Sequence, residues 1–142
     1  MICKICEIHR ISVPFLVYEN PFWVLRHSEA EKNCPGYLYL EPKLHVVAYP
    51  EFPEEVLQSL GEALKRGTDW IYSYFNPEKI YTVTISEAIP HIHFHIVPRY
   101  SPEAKGLEYL KLALSSELPE TEFTRDFFQK RVNEIFADRL KK

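Results

Sequence analysis

The chain has 142 residues, 46% hydrophobic and 26% charged, enough for one domain with a single core and unlike a disordered or rod-like sequence. A formal charge of -3 argues against broad electrostatic binding of nucleic acid, no apolar run reaches the length of a membrane span, and the start, MICKIC, lacks a signal-peptide core, so a cytoplasmic protein is expected. Three cysteines, two of them close together, fit metal or thiol chemistry in a reducing compartment better than a disulfide framework.

In chain order, FLVYE (15–19) and FWVLR (22–26) are short apolar runs separated by Asn20-Pro21, which predicts a hairpin. The polar stretch HSEAEKNCPG (27–36) reads as a loop. YLYLE (37–41) and LHVVA (44–48) flank Pro42-Lys43 and predict a second pair of strands. Pro53 is placed to open a helix, with Glu54 and Glu55 favouring its N-terminal dipole. Val56, Leu57, Leu60, Ala63, Leu64, Trp70, Ile71 and Tyr74 continue at three- and four-residue spacing as one long amphipathic helix, stopped by Asn76-Pro77. IYTVTIS (80–86) and HIHFHIV (91–97) are the strongest strand candidates. Phe123, Phe127, Val132, Ile135 and Phe136 predict a docked C-terminal helix. The sum is an α+β domain with an antiparallel sheet of five to six strands and a long helix on one face. The core occupies residues 1–100, and 101–142 form a helical extension of the same single domain.

Half of the six histidines fall at alternate positions in HIHFHIV. On a strand, His91, His93 and His95 share one face, while Ile92, Phe94 and Ile96 anchor the other. Three adjacent cations would repel one another, so some of these rings stay neutral at pH 7. Such a row suits either a metal or an anion.

H-x-H-x-H-x-x with apolar x, followed by Pro98-Arg99, resembles the signature of the histidine triad (HIT) family of nucleotide-binding hydrolases and transferases. GYLYLEPKLHV (36–46) resembles that family's Gly-His-apolar strand and Pro-Lys-x-His, and CKIC its Cys-x-x-Cys. The resemblance covers about residues 3 to 100 and implies a HIT-like fold, a homodimer, and a purine nucleotide or adenylated small molecule as ligand. It makes His93 the nucleophile at the α-phosphorus, necessarily neutral, and His95 a phosphate contact and proton donor that is protonated at least part of the time. It implies a structural Zn²⁺ on Cys3, Cys6, His45 and His91, with no catalytic metal required. His9 completes C-x-x-C-x-x-H and rivals His45 or His91 as a ligand, redox chemistry at Cys3 and Cys6 is a weaker alternative, and Cys34 is a bystander. The family's acidic ribose contact falls on Glu29, and its base pocket would draw on Phe15, Phe22 and Trp23.

Two departures matter. Tyr37 stands where the family has a histidine near the active site, so Tyr37 is expected beside the substrate. No Asn- and Gly-rich phosphate loop precedes the triad; SEAIP (86–90) offers only Ser86 as a donor, and Glu87 would repel an anion. Arg99 is expected in an ion pair. Three readings stay open: an enzyme acting on adenylated compounds, a zinc-stabilised nucleotide-binding protein with little turnover, and a catalytic metal on the whole histidine row.

Overall fold

A computed structural model describes residues 2–100, 102 and 104–140. The order of elements is α1 (Lys4–Ile11), β1 (Leu16–Glu19), β2 (Trp23–His27), β3 (Leu38–Pro42), α2 (Glu54–Gln58), α3 (Leu60–Tyr74), β4 (Lys79–Val83), β5 (Phe94–Arg99), α4 (Gly106–Leu114), α5 (Glu122–Asp126) and α6 (Val132–Leu140), with a π-helical turn at Phe127–Arg131 between the last two. The five strands form one antiparallel sheet in the order β1-β2-β3-β5-β4, the α+β arrangement expected.

Local chemistry sets the turns. Asn20 Oδ1 accepts the amides of Phe22 at 2.8 Å and Trp23 at 2.7 Å, a side-chain-closed turn that fixes the β1–β2 hairpin. Asn76 adopts the left-handed conformation, φ 49°, just past α3, and Pro77 prevents further helix. The long helix predicted from Pro53 is interrupted at Ser59. There the Val56 carbonyl accepts from the Ser59 hydroxyl at 2.7 Å and the Trp23 indole at 3.2 Å, so α2 and α3 are separate.

LHVVA (44–48) is a correction, since it forms no strand. Only Val46 is buried, its carbonyl takes one bond from the Ile92 amide at 2.8 Å, and Leu44, His45 and Val47 face outward. The predicted strands around the histidines are also shorter than the apolar pattern: β4 ends at Val83 and β5 begins at Phe94. His91 and His93 therefore lie in the connection that enters β5.

Pleating separates two faces. Trp23, Leu25, Leu38, Leu40, Phe94 and Ile96 are buried with Ala63 and Ile71 of α3. The contact is close at Gly67, where a Cβ would lie 3.0 Å from Ile96 and 3.3 Å from Leu25, so any side chain there pushes the helix off the sheet. On the opposite face Tyr37, Tyr39 and Val97 pack with Cys34 and with Tyr109 and Ala113 of α4, an element the sequence pattern did not single out. Helix α1 is tied to this second face by His9, whose Nε2 meets Glu41 at 2.9 Å. Arg26 completes that buried cluster with bonds of 2.9 and 2.8 Å to the Glu41 carboxylate, which the His9 and Arg26 hydrogen bonds hold below the usual carboxyl range despite its burial.

His27 joins the end of β2 to the tail. Its Nδ1–H donates to the Ser28 carbonyl at 2.8 Å, its Nε2 accepts the Gly36 amide at 2.8 Å, and its ring is surrounded by Trp70, Phe127, Phe128 and Phe136. Burial drives its pKa down to about 4. Protons therefore bind more tightly to the unfolded chain than to the folded one. The stabilisation is full above the unfolded value near 6.5 and is lost as pH falls toward 4, a loss of roughly 3 kcal/mol. Thermal melting between pH 7 and 4 is expected to show this decline, and His27→Gln, which cannot titrate, is expected to flatten it.

Candidate active site and metal centre

His93 is half-buried and held by its backbone and its ring at once. Its amide donates to Ser86 Oγ at 3.0 Å, and its carbonyl accepts from the Thr84 hydroxyl at 2.7 Å. Ser86 sits in the left-handed region, φ 53°, which turns its hydroxyl back onto the His93 backbone. Ser86, expected as a phosphate donor, thus positions the histidine through its hydroxyl oxygen and keeps its O–H as a donor, and Glu87 is exposed. The His93 ring presents Nδ1 to the His91 carbonyl at 2.8 Å. A carbonyl can only accept, so Nδ1 carries a proton, and in the neutral ring Nε2 bears the lone pair.

His95 lies with its ring centroid 5.0 Å from that of His93, so these two rings are neighbours, while His91 turns to the cysteines. Its Nδ1 is 2.8 Å from the Tyr37 hydroxyl, and the Tyr39 ring is 5.5 Å away. Burial lowers the His95 pKa to about 4, with the neighbouring His93 and Lys32 charges adding to the effect and Glu41 and Glu29 opposing it. His95 is therefore neutral at pH 7 in the free protein, which corrects the expectation of a partly protonated ring. The geometry suits His93 to attack an electrophile and His95 to hydrogen-bond an anion.

Tyr37 is fully buried, so it does not face a ligand as expected. Tyr39, which no sequence motif marked, shares its face, lies across from His95 in the β3–β5 register, and donates its hydroxyl to the Glu29 carboxylate at 2.9 and 3.1 Å. Exposed Glu29 is in this way brought to the histidine face. Trp23 is wholly buried on the α3 side against Phe52 and Phe94, which removes it from any base pocket on the histidine face. Phe15 packs against Phe136 with ring centroids 5.3 Å apart, and Phe22 lies against the core. Arg99 is buried near the far end of β5, where its Nε donates to the Tyr81 hydroxyl at 3.2 Å.

Cys3, Cys6, His45 and His91 converge, with their four ligand atoms all within 4.8 Å of one another. His45 Nδ1 and His91 Nδ1 are 3.2 Å apart, and three sulfur–nitrogen separations are 3.5 Å. A tetrahedral ion with ordinary zinc bond lengths has edges of about 3.3 Å between nitrogens and about 3.5 Å between nitrogen and sulfur, so the donor set fits such a cation. His91 Nε2 donates to the Pro42 carbonyl at 2.8 Å, leaving Nδ1 free to coordinate. Burial and the adjacent Cys3 push the Cys6 thiol up, a preference that a cation between them reverses. His9 is engaged with Glu41 and stands outside the four.

No family model matches the chain. It is similar to curated "uncharacterized HIT-like" proteins of Methanocaldococcus jannaschii, 22% identical over 111 residues (75% of this chain, 86% of that protein), and Borreliella burgdorferi, 27% identical over 114 residues (75% and 81%). Similar solved structures include a zinc-bound histidine triad family protein from Mycobacterium smegmatis, TM-score 0.62, 16% identical, covering 96% of each chain. A hypothetical histidine triad nucleotide-binding protein from Sulfolobus tokodaii gives 0.59 at 21% identity, covering 81% of this chain and 89% of that one. A HIT family hydrolase from Legionella pneumophila gives 0.56 at 18%, covering 75% and 97%.

Proposed function

We propose, from the premise that the chain belongs to the histidine triad family, that it hydrolyses or transfers a nucleoside monophosphate from an adenylated compound such as a phosphoramidate or a dinucleoside polyphosphate. The observation that carries this reading is the His93 ring, whose Nδ1–H is fixed on the His91 carbonyl so that the lone pair of the neutral ring falls on Nε2. A neutral imidazole approaches an anionic phosphorus without charge repulsion. In the first step Nε2 forms a bond to the α-phosphorus and the leaving group departs with the electron pair of the broken bond. The His91 carbonyl stabilises the positive ring so formed through the Nδ1 proton. Water then displaces His93 and releases the nucleoside monophosphate.

His95 supports the phosphate in this scheme. It starts as a neutral donor, and the negative charge of the bound substrate raises its affinity for the proton that a basic leaving group requires. Glu29 is assigned to a ribose hydroxyl, consistent with its place beside Tyr39. Cys3, Cys6, His45 and His91 are assigned to a structural Zn²⁺, which ties α1 to the connection before the triad. The family resemblance further supports a homodimer.

Incubation of the purified protein with adenosine phosphoramidate and with diadenosine polyphosphates tests the reading. Release of AMP from at least one is expected. A second reading, a zinc-stabilised nucleotide-binding protein with little turnover, is favoured by the low pKa of His95, which leaves that ring uncharged on the free protein at pH 7. Calorimetry separates the two: binding of AMP with no consumption of any adenylated compound selects the second.

A further inference from the structure

The hydroxyl of Tyr37 is buried with the rest of its side chain, and a buried O–H needs an acceptor. Among the described residues it meets His95 Nδ1, at 2.8 Å. Burial raises the hydroxyl above its ordinary range, so it keeps its proton. The Lys32 ammonium lies over the Tyr37 ring at 5.6 Å while bonded to the Leu114 carbonyl, a nearby cation that disfavours a second proton on His95. Two directions exist for the bond. If Nδ1–H donated to the phenol oxygen, the phenol proton would be left buried without a partner; if the phenol donates, both groups are satisfied.

We propose that Tyr37 is a positioning residue that locks His95 in the Nε2–H tautomer, holding one ring orientation and aiming a hydrogen-bond donor out of the buried edge toward the anion bound at His93. This rests on the phosphoryl-transfer reading for its purpose but not for its geometry. The two neighbouring rings then carry opposite tautomers. His93 keeps a lone pair at Nε2 because a carbonyl fixes its Nδ1 proton, and His95 keeps a proton at Nε2 because a phenol occupies its Nδ1 lone pair. A nucleophile and an anion donor are thereby differentiated, within ring centroids 5.0 Å apart, by what each ring meets on its inner edge. The groups facing His95 are His93, Lys32, Glu29 and Glu41, together with the two tyrosines.

The test is a long-range nitrogen–proton correlation spectrum of histidine-labelled protein at pH 7, with the His95 signals identified by their loss in His95→Gln. Wild type is expected to show His95 protonated at Nε2 alone. Tyr37→Phe keeps the ring shape and is expected to turn this into a mixture of tautomers, with His27 unchanged as the control for an intact core and kcat lowered about 10-fold at nearly constant KM. A wild-type spectrum with the His95 proton on Nδ1, or an unaltered His95 pattern in folded Tyr37→Phe, overturns the proposal. The wild-type spectrum decides even if Tyr37→Phe does not fold. The expected tautomer in a protein that consumes no adenylated compound upholds the lock and discards the proposed reaction.

Discussion

Replacement of His93 by alanine is expected to lower release of nucleoside monophosphate by about 10³-fold or more while leaving the fold and nucleotide binding largely intact. The size follows from removing the atom that makes the bond to phosphorus, since the remaining contacts bind substrate but offer no covalent route. The His93 ring is half-buried, its Nδ1–H is bonded to the His91 carbonyl, and the neighbouring backbone bonds to Ser86 and Thr84 do not depend on the imidazole. A melting temperature within a few degrees of wild type, AMP affinity within a few-fold, and turnover at background define the expected result. Equal turnover in wild type and His93→Ala removes His93 from the chemistry.

Loss of the metal centre is expected to have the second-largest effect. His91 is fixed at three points: its Nδ1 lies in the four-ligand cluster, its Nε2–H is bonded to Pro42, and its carbonyl holds the Nδ1 proton of His93. The double substitution Cys3→Ser with Cys6→Ser removes both sulfur ligands. Wild type is expected to carry about one zinc per chain and the variant none. A ligand held at a hundred to a thousand times its Kd stabilises by about 3–4 kcal/mol, which for this length corresponds to roughly 10 °C in Tm. Turnover is expected to fall about 10- to 100-fold, because the carbonyl that orients the nucleophile loses one of its supports. Zinc retained by the double variant but lost with His93→Ala places the ion on the histidine row instead.

Alternation and turn chemistry made much of the architecture readable. The Asn20 hairpin, the strands through Leu25 and Leu40, the stop at Asn76, and the common face of His93 and His95 each depend on residues close in sequence. What was not readable depends on long-range partners. LHVVA has the apolar content of a strand, yet His45 has to reach the cysteines of α1, and only Val46 enters the core. The break at Ser59 requires the Trp23 indole, 36 residues earlier. His91 and His93 leave the strand because Ser86 and Thr84 bind the His93 backbone from across a loop.

The site divides along the same line. Cys3, Cys6, His45 and His91 were identifiable as a set and do converge. Tyr37 was identifiable as a departure at a position near the triad, but its burial and its bond to His95 follow from sheet register and from the cover that α4 provides. Burial of the His95 ring beside Tyr37 and Tyr39 accounts for its low pKa, which spacing alone could not foretell. Arg26 and Glu41 carried no motif, and His9 was read as a rival metal ligand; their cluster arises only when β2, β3 and α1 meet.

The most direct measurement is a crystal structure of the protein bound to AMP. The α-phosphorus is expected in line with His93 Nε2 at roughly 3–3.5 Å, the distance of a near-attack arrangement, with His95 Nε2 on a phosphate oxygen. AMP bound elsewhere, or His93 Nε2 coordinated to an ion, contradicts this expectation.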